Sequence, residues 1–379
     1  MAQRLKTDRI LFITVVLMVL VGALMVYSAS SVMAESKYGS SYYFAIRQLV
    51  WVVLSIPLML FFKNLHYRKL QTPAVAFTAM ALIMMLLVVV YFADPRQHRW
   101  IRFPLGGLQP SEFAKPALIV FLAYFIALRS RALNSRYTLA PAILAVGFLT
   151  FAVVVADLGT AIVLVLTAAV VFFVAGLEKR YIGIAAIVAL LVCIGAVWQR
   201  PYRLGRVVRF ADPHFKLVDK IDKRGWIRSQ LKKSATTQDT NYQAEQAKIA
   251  VGSGGPLGVG LMQGRQKLFY LPEPHTDTIY AVVGEEWGLF GTTGVLVGFL
   301  VILWRGLRAT VLIHDEFGRY LALGITTLLI VQAFFNMSVV LGIFPTKGFP
   351  LPMISFGGSS LLVTLVSLGI LMNVSEHTG

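Results

Sequence analysis

Long apolar runs alternate with short polar segments along almost the whole chain. Most of the runs reach the roughly 18 to 20 residues with which a helix crosses the hydrocarbon of a bilayer. They are continuous and lack the two-residue alternation of barrel strands. The pattern therefore predicts an all-α integral membrane protein, a bundle of about ten transmembrane helices. The runs are 10–34, 48–62, 70–93, 109–128, 137–156, 158–177, 181–199, 287–304, 320–346 and 348–375.

Composition agrees with a chain that lies in lipid. Hydrophobic residues make up 57% of the sequence, charged residues 14%, and the mean hydropathy is +0.72. A soluble domain usually carries about 25% charged residues. Cys193, inside an apolar run, is the single cysteine, and because a disulfide needs two cysteines the chain forms no intrachain disulfide.

Basic residues between the runs predict the orientation in the membrane. Fourteen Lys and Arg lie on the side of the amino terminus, whereas the short loops opposite carry six. Because cytoplasmic loops are enriched in positive charge, and an even number of helices returns the chain to its starting side, we expect both termini in the cytoplasm. These loops account for much of the net charge of +17, which is therefore no sign of nucleic-acid binding.

One long polar segment, 199–275, separates seven helices in 1–198 from three helices in 276–379. It carries fourteen Lys and Arg against six acids, and long loops translocate largely regardless of charge. Residues 200–241 are predicted to be mobile and to face a partner or regulator, so that much of the positive charge lies away from any site. Residues 242–251 are predicted to form a short helix. The glycines that follow are suited to flexible turns or to a phosphate cradle.

Ionisable residues inside apolar runs are costly and are therefore candidates for function. Glu112 and Lys115 lie three residues apart at the start of run 109–128, which places them on one face of a helix. They either form an ion pair that stabilises the helix or take part in a site. Asp157, between two runs, is expected to form a turn or a helix cap at the outer face.

The stretch that leads into the eighth helix holds four acids and one histidine within fourteen residues, namely Glu273, His275, Asp277, Glu285 and Glu286. A carboxylate there can act merely as a partner of the helix dipole. The number of acids nevertheless favours a functional site around Asp277.

A second segment, 344–360, is almost uncharged and contains three prolines, with Lys347 as its single cation. Non-helical backbone at membrane depth is tolerated where it lines a cavity, so this segment is predicted to form a re-entrant wall. The alternative is a connector at the water line. No metal-ligand spacing, nucleophile elbow or Walker-type loop occurs in the sequence.

Four motifs together resemble the SEDS family of bacterial shape, elongation, division and sporulation proteins. They are QPSEFAK (109–115), DLGT (157–160), YLPEPHTD (270–277) with GEE (284–286), and PTKGFPLPMISFGGSS (345–360). The resemblance covers nearly the whole chain and is greatest to the division branch of the family. Residues 216–241 look like an insertion, and Phe269 stands where division members carry an acid.

The resemblance implies a peptidoglycan glycosyltransferase that polymerises lipid II at the outer face of the bacterial cytoplasmic membrane. A class B penicillin-binding protein and other divisome proteins are the implied partners, and the septum is the implied location. The essential aspartate of the family falls on Asp277, and its conserved glutamate and lysine fall on Glu112 and Lys115.

In the reaction, the 4-hydroxyl of an acceptor GlcNAc attacks C1 of a lipid-linked MurNAc, and undecaprenyl diphosphate leaves. We expect Asp277 to be the general base or to bind a divalent cation, Mg²⁺ or Mn²⁺. No organic cofactor is expected. The predicted diphosphate partners are Lys115, Arg99, Arg102 and Lys347, and the other supporting residues are Glu112, Glu273, His275, Glu286 and Ser359.

The sequence leaves three alternative functions open. A lipid II flippase or other transporter would also carry charges and proline-broken helices in the membrane. An elongation-type polymerase would use the same chemistry. A non-catalytic septal scaffold would explain the helices but not the acids. The acids cluster mostly at one face, which favours surface chemistry over transport.

Overall fold

The structure, a computed structural model, describes residues 7–94, 98–103, 106–199, 201–212 and 237–378. Its long helices are α1 (Arg9–Tyr38), α2 (Tyr43–Asn64), α3 (Pro73–Ala93), α4 (Pro110–Arg129), α5 (Arg136–Ala156), α6 (Leu158–Val174), α7 (Lys179–Trp198), α10 (Ile279–Leu312), α11 (Glu316–Val340) and α12 (Gly358–Glu376).

Shorter elements connect these helices. Two further helices, α8 (Pro201–Ala211) and α9 (Thr237–Ser253), follow α7, and 3₁₀ turns form at Tyr67–Leu70 and Ser130–Ala132. Strands β1 (Ile101–Phe103) and β2 (Gly106–Leu108) pair antiparallel in a small hairpin before α4, with Ile101 opposite Leu108.

Within the described residues, nine helices are long and apolar enough to cross a membrane, and Leu158–Val174 is a tenth, shorter apolar helix of 17 residues. This confirms the predicted helical membrane bundle. Helices α4, α11 and α12 lie at its centre and are mostly buried, whereas none of the described side chains of α7 is buried. Exposed leucines and valines on the outer helices face the lipid, as a membrane protein requires.

Both termini lie at the same end of the bundle. Asp8, which caps α1 by accepting a hydrogen bond from the Leu11 amide, also accepts one of 2.9 Å from the Ser375 hydroxyl near the end of α12. Arg305, near the end of α10, donates from its Nε to the same carboxylate at 2.8 Å. The even number of crossings is thereby confirmed.

The last two predicted runs were too long. Helix α11 ends at Val340 and α12 begins at Gly358, so residues 341–357, here called the re-entrant segment, are not helical. Gly342 has a left-handed backbone (φ 74°), and prolines 345, 350 and 352 cannot continue a helix because each removes a backbone donor.

The re-entrant segment reaches deep into the bundle. The carbonyl of Met353 and the backbone of Ile354 pack directly on Gly22, and a methyl group at Gly22 would collide with both. Gly22 lies 13 residues from the start of a 30-residue helix, about 20 Å along it. The prediction of non-helical backbone at membrane depth is therefore confirmed.

Helix α10 is broken at Gly288, whose backbone (φ 63°, ψ −154°) is not helical. The amides of Leu289 and Phe290 would normally donate to the carbonyls of residues 285 and 286. They donate instead to the carbonyls of Gly255 and Pro256, at 2.9 and 3.3 Å. The freed carbonyls of Glu285 and Glu286 accept from the amides of Val259 and Gly260, at 2.9 and 3.0 Å. The loop thus replaces the hydrogen bonds that the helix loses.

The side chains at the break hold the same loop. The Glu285 carboxylate accepts from the amides of Arg265 (2.7 Å) and Gln266 (3.1 Å). The buried Glu286 carboxylate accepts from Lys267 Nζ at 2.6 Å and from the Ser28 hydroxyl at 2.7 Å. Both acids therefore anchor the loop to α10 and α1.

The glycines of this loop allow close approach of two backbones. A methyl group at Gly254 or Gly258 would collide with the carbonyls of Gly284 or Glu286. Of the two sequence interpretations, turn chemistry therefore explains these glycines: the Gly258 amide donates to the Gly254 carbonyl at 2.8 Å, and both residues pack on the backbone of α10.

The prediction that residues 200–241 are mobile and away from the site was wrong for part of that range. Residues 201–211 form α8 and 237–253 form α9, and the two helices pack against each other. Helix α9 confirms the short helix predicted at 242–251. The remainder of the range 200–241, residue 200 and residues 213–236, lies outside the described residues.

Alanine at Gly288 should destabilise the protein. The change forces a side chain into a backbone conformation nearly restricted to glycine, at a cost of about 1 to 3 kcal/mol, and its methyl group would collide with Gly255 and Pro256. Thermal unfolding of the purified protein in detergent measures the effect. Gly294→Ala in the same helix, where a methyl group meets open space, is the control and should stay within about 1 kcal/mol of wild type. Equal melting of both variants would contradict the account of the break.

Candidate functional site

Asp277 lies at the end of the loop that enters α10, where that loop meets the re-entrant segment. Its half-buried carboxylate lies against the backbone of Gly348, and a methyl group there would collide with it. A cavity of about 60 Å³ opens beside it and is also lined by Lys347 and by Arg206 of α8.

Hydrogen bonds fasten the two segments together next to Asp277. The Phe356 amide donates to the His275 carbonyl at 2.8 Å, and the Ser355 hydroxyl donates to the Thr276 carbonyl at 2.6 Å. The two residues directly before Asp277 in the chain are thus fastened to the re-entrant segment, which fixes the backbone that leads into Asp277.

The environment changes the acidity of Asp277. Burial raises the pKa of this carboxyl to about 6, above its ordinary value, because the charged form loses water; Arg99 and Arg206 oppose this shift, while Asp157 and Glu273 add to it. Among the described residues, no Lys, Arg or His forms a salt bridge with Asp277. A carboxyl with such a pKa is ionised at neutral pH and remains basic enough to accept a proton.

Asp157 gathers two cations beside the site. Lys347 Nζ lies 2.6 Å from one of its carboxylate oxygens, and Arg99 lies 3.1 Å from the other. The same side chain caps α6 through the Gly159 amide at 2.9 Å, which confirms the predicted helix cap. Burial alone would raise the pKa of Asp157, but Lys347 and Arg99 outweigh it and bring that pKa to about 2. Asp157 is therefore a permanent anion.

Glu112 and Lys115 form the predicted ion pair. Lys115 Nζ lies 2.8 Å from Glu112 and also donates at 2.8 Å to the side-chain oxygen of Gln332. Both charged residues are only 3% exposed. In this structure Lys115 is thus enclosed by protein groups rather than presented to an open cavity.

Two amide side chains of α11 extend this network, and the sequence reasoning missed them. Gln332 donates to the Pro350 carbonyl at 3.0 Å. Asn336, one turn further on, donates to the carbonyl of Asp277 itself at 2.8 Å and to that of Phe349 at 2.5 Å. The available signal was a pair of amides four residues apart inside an apolar run, a spacing that places both on one helix face.

His275 is buried under aromatic rings and does not open into the cavity beside Asp277. Its ring lies 4.2 Å from that of Phe44 and 5.4 Å from that of Phe356. Burial, with a smaller effect of Lys37, lowers the pKa of His275 to about 4, so the ring is neutral at pH 7. The exposed Glu273 carboxylate lies 3.7 Å from its Nε2.

The remaining predicted residues lie apart from this cluster or outside the described residues. Glu286 is seven residues into α10, about 10 Å along the helix, and is engaged by Lys267 and Ser28. Ser359 is buried in the first turn of α12. The backbone of Arg102 pairs with Gly107 in the hairpin, and its side chain lies outside the described residues.

Arg206 is a site residue that the sequence reasoning missed, because it treated residues 200–241 as remote. Helix α8 brings this arginine to the wall of the cavity beside Asp277. Arg203, on the preceding turn, donates to the Val154 carbonyl near the end of α5 at 3.4 Å. Part of the positive charge of the long loop therefore lies next to the site.

The residues around Asp277 suit a divalent ion only in part. Among the described residues, no three His, Cys, Asp or Glu side chains come together as metal ligands. Mg²⁺ commonly binds through one or two carboxylates and keeps its remaining ligands from water and substrate phosphates. Asp277 fits such a single-carboxylate role, in which the ion would supply positive charge to a bound diphosphate.

The fold and the site together define a polytopic membrane protein in which a carboxylate of raised pKa, Asp277, lies beside several cations at the end of the bundle opposite its termini. The chain belongs to the FtsW/RodA/SpoVE family, whose sequence model, described as "Cell cycle protein", matches residues 8–379.

Relatives match over the full length. The probable peptidoglycan glycosyltransferase FtsW of Geobacter sulfurreducens is 38% identical, with 98% of this chain and 96% of the relative covered. The stage V sporulation protein E of Bacillus subtilis is 35% identical, with 99% of both chains covered.

Solved structures show the same fold. A chain from a peptidoglycan synthase complex that coordinates polymerization and crosslinking superposes with a TM-score of 0.75 at 25% identity, over 98% of both chains. The rod shape determining protein RodA of Thermus thermophilus superposes with a TM-score of 0.67 at 23% identity, covering 97% of this chain and 96% of that one.

Asparagine at position 277 should change how stability depends on pH. Because the folded pKa of Asp277 is about 6 and its unfolded value about 4, its contribution to stability is full below pH 4 and is lost as pH rises through 6. The asparagine of Asp277→Asn does not ionise, so the variant does not lose this contribution to stability as pH rises. Its melting temperature relative to wild type should therefore be higher at pH 7.5 than at pH 4.5, by about 2 °C or more.

Differential scanning fluorimetry in detergent at the two pH values measures this difference. Glu245→Gln on α9, which replaces an exposed carboxylate, is the matched control and should show no such change. If Asp277→Asn changed the melting temperature equally at both pH values, burial would not raise the pKa of the Asp277 carboxyl.

Proposed function

We propose that this protein polymerises lipid II into glycan strands at the outer face of the cytoplasmic membrane, with undecaprenyl diphosphate as the leaving group. Its full-length relatives in Geobacter are named probable peptidoglycan glycosyltransferases, so the chain is a peptidoglycan glycosyltransferase of the same family. Their FtsW names support a role in septal synthesis during cell division.

The raised pKa of Asp277 and the cavity beside its carboxylate give the strongest support for this function. Formation of a glycosidic bond requires removal of a proton from the acceptor 4-hydroxyl, and general-base catalysis is most efficient when the pKa of the base lies near the working pH. Burial raises the pKa of Asp277 to about 6, and a small cavity lies directly beside its carboxylate. Asp277 therefore acts as the general base.

The cations beside Asp277 suit the leaving diphosphate. Lys347 and Arg206 line the same cavity, and Arg99 lies with Lys347 on Asp157. Positive groups held in place before the reaction stabilise negative charge as it develops on the leaving group. Asp157 holds these cations near the site while the diphosphate is absent.

Lys115 acts as a positioning residue. It is enclosed by Glu112 and Gln332, and Gln332 in turn holds the Pro350 carbonyl of the re-entrant segment. The ion pair thus fixes the position of Gln332, and Gln332 fixes the position of the re-entrant segment. Gly348 of that segment lies against the Asp277 carboxylate. Loss of either charge would leave the other buried without a partner, which is costly.

The membrane orientation and the partners belong to the same proposal. The excess of basic residues at the end that carries the termini favours a cytoplasmic location for that end, which places Asp277 at the outer face. The similar chain in a peptidoglycan synthase complex supports a class B penicillin-binding protein as transpeptidase partner. The alternative role for Asp277 is to hold a Mg²⁺ or Mn²⁺ ion that arrives with the diphosphate, in which case this carboxylate would not also serve as the base.

Replacement of Asp277 by alanine should abolish polymerisation while the protein stays folded. Removal of a general base lowers the rate by at least about 100-fold. The measurement is gel analysis of glycan chains made from labelled lipid II by the purified protein with its transpeptidase partner. Glu245→Gln is the control and should retain wild-type polymerisation.

The same assay over a range of pH values tests the role of the carboxylate. The wild-type rate should fall as pH drops through about 6, because protonated Asp277 cannot accept a proton. Robust polymer from Asp277→Ala would disprove the assignment. Translocation of fluorescent lipid II across liposomes, with no polymer formed by the wild type, would favour a transporter instead.

The positioning role of Lys115 predicts that Gln332→Leu impairs the reaction although it removes no charge. We expect Lys115→Ala, Glu112→Ala and Gln332→Leu each to lower kcat by about ten- to hundred-fold with a smaller change in KM, because the re-entrant segment shifts. Gln48→Leu, at a buried glutamine whose amide has no partner among the described residues, is the control. Wild-type kcat in Gln332→Leu would instead indicate direct contact of Lys115 with substrate.

A further inference from the structure

A large cavity, here called the terminal cavity, opens at the end of the bundle that carries both termini. Its volume is about 450 Å³, compared with about 60 Å³ beside Asp277. It lies between the start of α1 and the ends of α10 and α12. The volume equals that of about fifteen water molecules, enough for a hydrated polar headgroup.

The acids of the terminal cavity are already paired within the protein. Asp8 lies 2.8 Å from Arg305 and also accepts from the Ser375 hydroxyl. Glu376 lies 2.8 Å from Lys63. Neither carboxylate is therefore left to balance further positive charge.

Two more arginines line the terminal cavity without such partners. Arg9 and Arg308 are both exposed, and neither forms an ion pair with any of the described residues. Arginines at helix ends often serve only as general anchors at the membrane surface. Here they flank one cavity whose acids are neutralised, so within the part of the chain that the structure describes they add a charge of +2 that no carboxylate balances.

The terminal cavity has an apolar rim at Ile10, and exposed apolar residues of α1 and α10 lie close to it in sequence. Ile10 lines the cavity and is 48% exposed, and Ile13 continues this surface along α1. On α10, Leu307 and Val311 are 43% and 76% exposed. Both helices are membrane-spanning candidates, and the cavity lies at the start of α1 and near the end of α10.

We propose that the terminal cavity binds the headgroup of an anionic phospholipid, with the phosphodiester held by Arg9 and Arg308 and the acyl chains along Ile10 and Val311. Guanidinium groups form strong charge-assisted hydrogen bonds with phosphate oxygens. Basic pockets between membrane helices are a common form of lipid recognition. A soluble phosphate would satisfy the arginines but would leave the apolar rim without a partner.

The test compares lipid binding to the full-length protein in detergent by native mass spectrometry. The probes are phosphatidylglycerol, phosphatidylethanolamine and glycerol phosphate. The variant Arg9→Gln/Arg308→Gln should bind phosphatidylglycerol about ten-fold or more weakly than wild type. Binding of phosphatidylethanolamine should be weak and equal in both proteins. The matched control, Lys69→Gln/Lys179→Gln, removes two exposed cations that do not line the cavity and should bind like wild type.

Three outcomes would overturn the proposal. Wild-type binding of phosphatidylglycerol by the arginine variant would show that the cavity is not the site. An equal loss in the lysine control would indicate general surface charge. Binding of glycerol phosphate as strong as that of the lipid would assign the cavity to a soluble anion. Melting temperatures measured without lipid verify that all variants are folded.

Discussion

Hydrocarbon offers no hydrogen-bond partners, so every backbone group inside this bundle must be satisfied by the protein itself. The break at Gly288 meets this constraint by exchange: the loop at 255–260 supplies two carbonyls and two amides in place of those that α10 loses. The carboxylates of Glu285 and Glu286 then fasten the following residues of the loop. The path of the chain toward Asp277 therefore depends on how one interrupted helix is completed.

The same constraint shapes the re-entrant segment on the other side of the site. Its carbonyls at Phe349 and Pro350 are reached by the amides of Asn336 and Gln332, and Asn336 also holds the carbonyl of Asp277. One face of α11 thus sets the distance between two non-helical segments. The buried pair Glu112 and Lys115 supports that face through Gln332. Side chains that do not line the cavity beside Asp277 therefore help to set the position of this residue.

Electrostatics divides the acids of the site between two tasks. Asp157 has Lys347 and Arg99 within 3.1 Å, which keeps it ionised and keeps both cations near the cavity. Asp277 has no such close partner among the described residues, and burial raises the pKa of its carboxyl to about 6. Two aspartates a short distance apart therefore have opposite shifts of pKa, which suits one as a counterion and the other as a base.

The helical membrane bundle, the common side of the two termini and the choice of Asp277 as a candidate were all predictable from the sequence, because the lengths of the apolar runs, the charges between them and the order of the motifs can be read along the chain without knowledge of its folded contacts. The pair Glu112 and Lys115 also followed from helical spacing alone. The place of Arg206 beside the site, the anchoring of a loop by Glu286, and the hold of Asn336 and Gln332 on the re-entrant segment became apparent only in the folded structure. Each role depends on contacts between residues far apart in the chain, and those contacts exist only when the helices have packed.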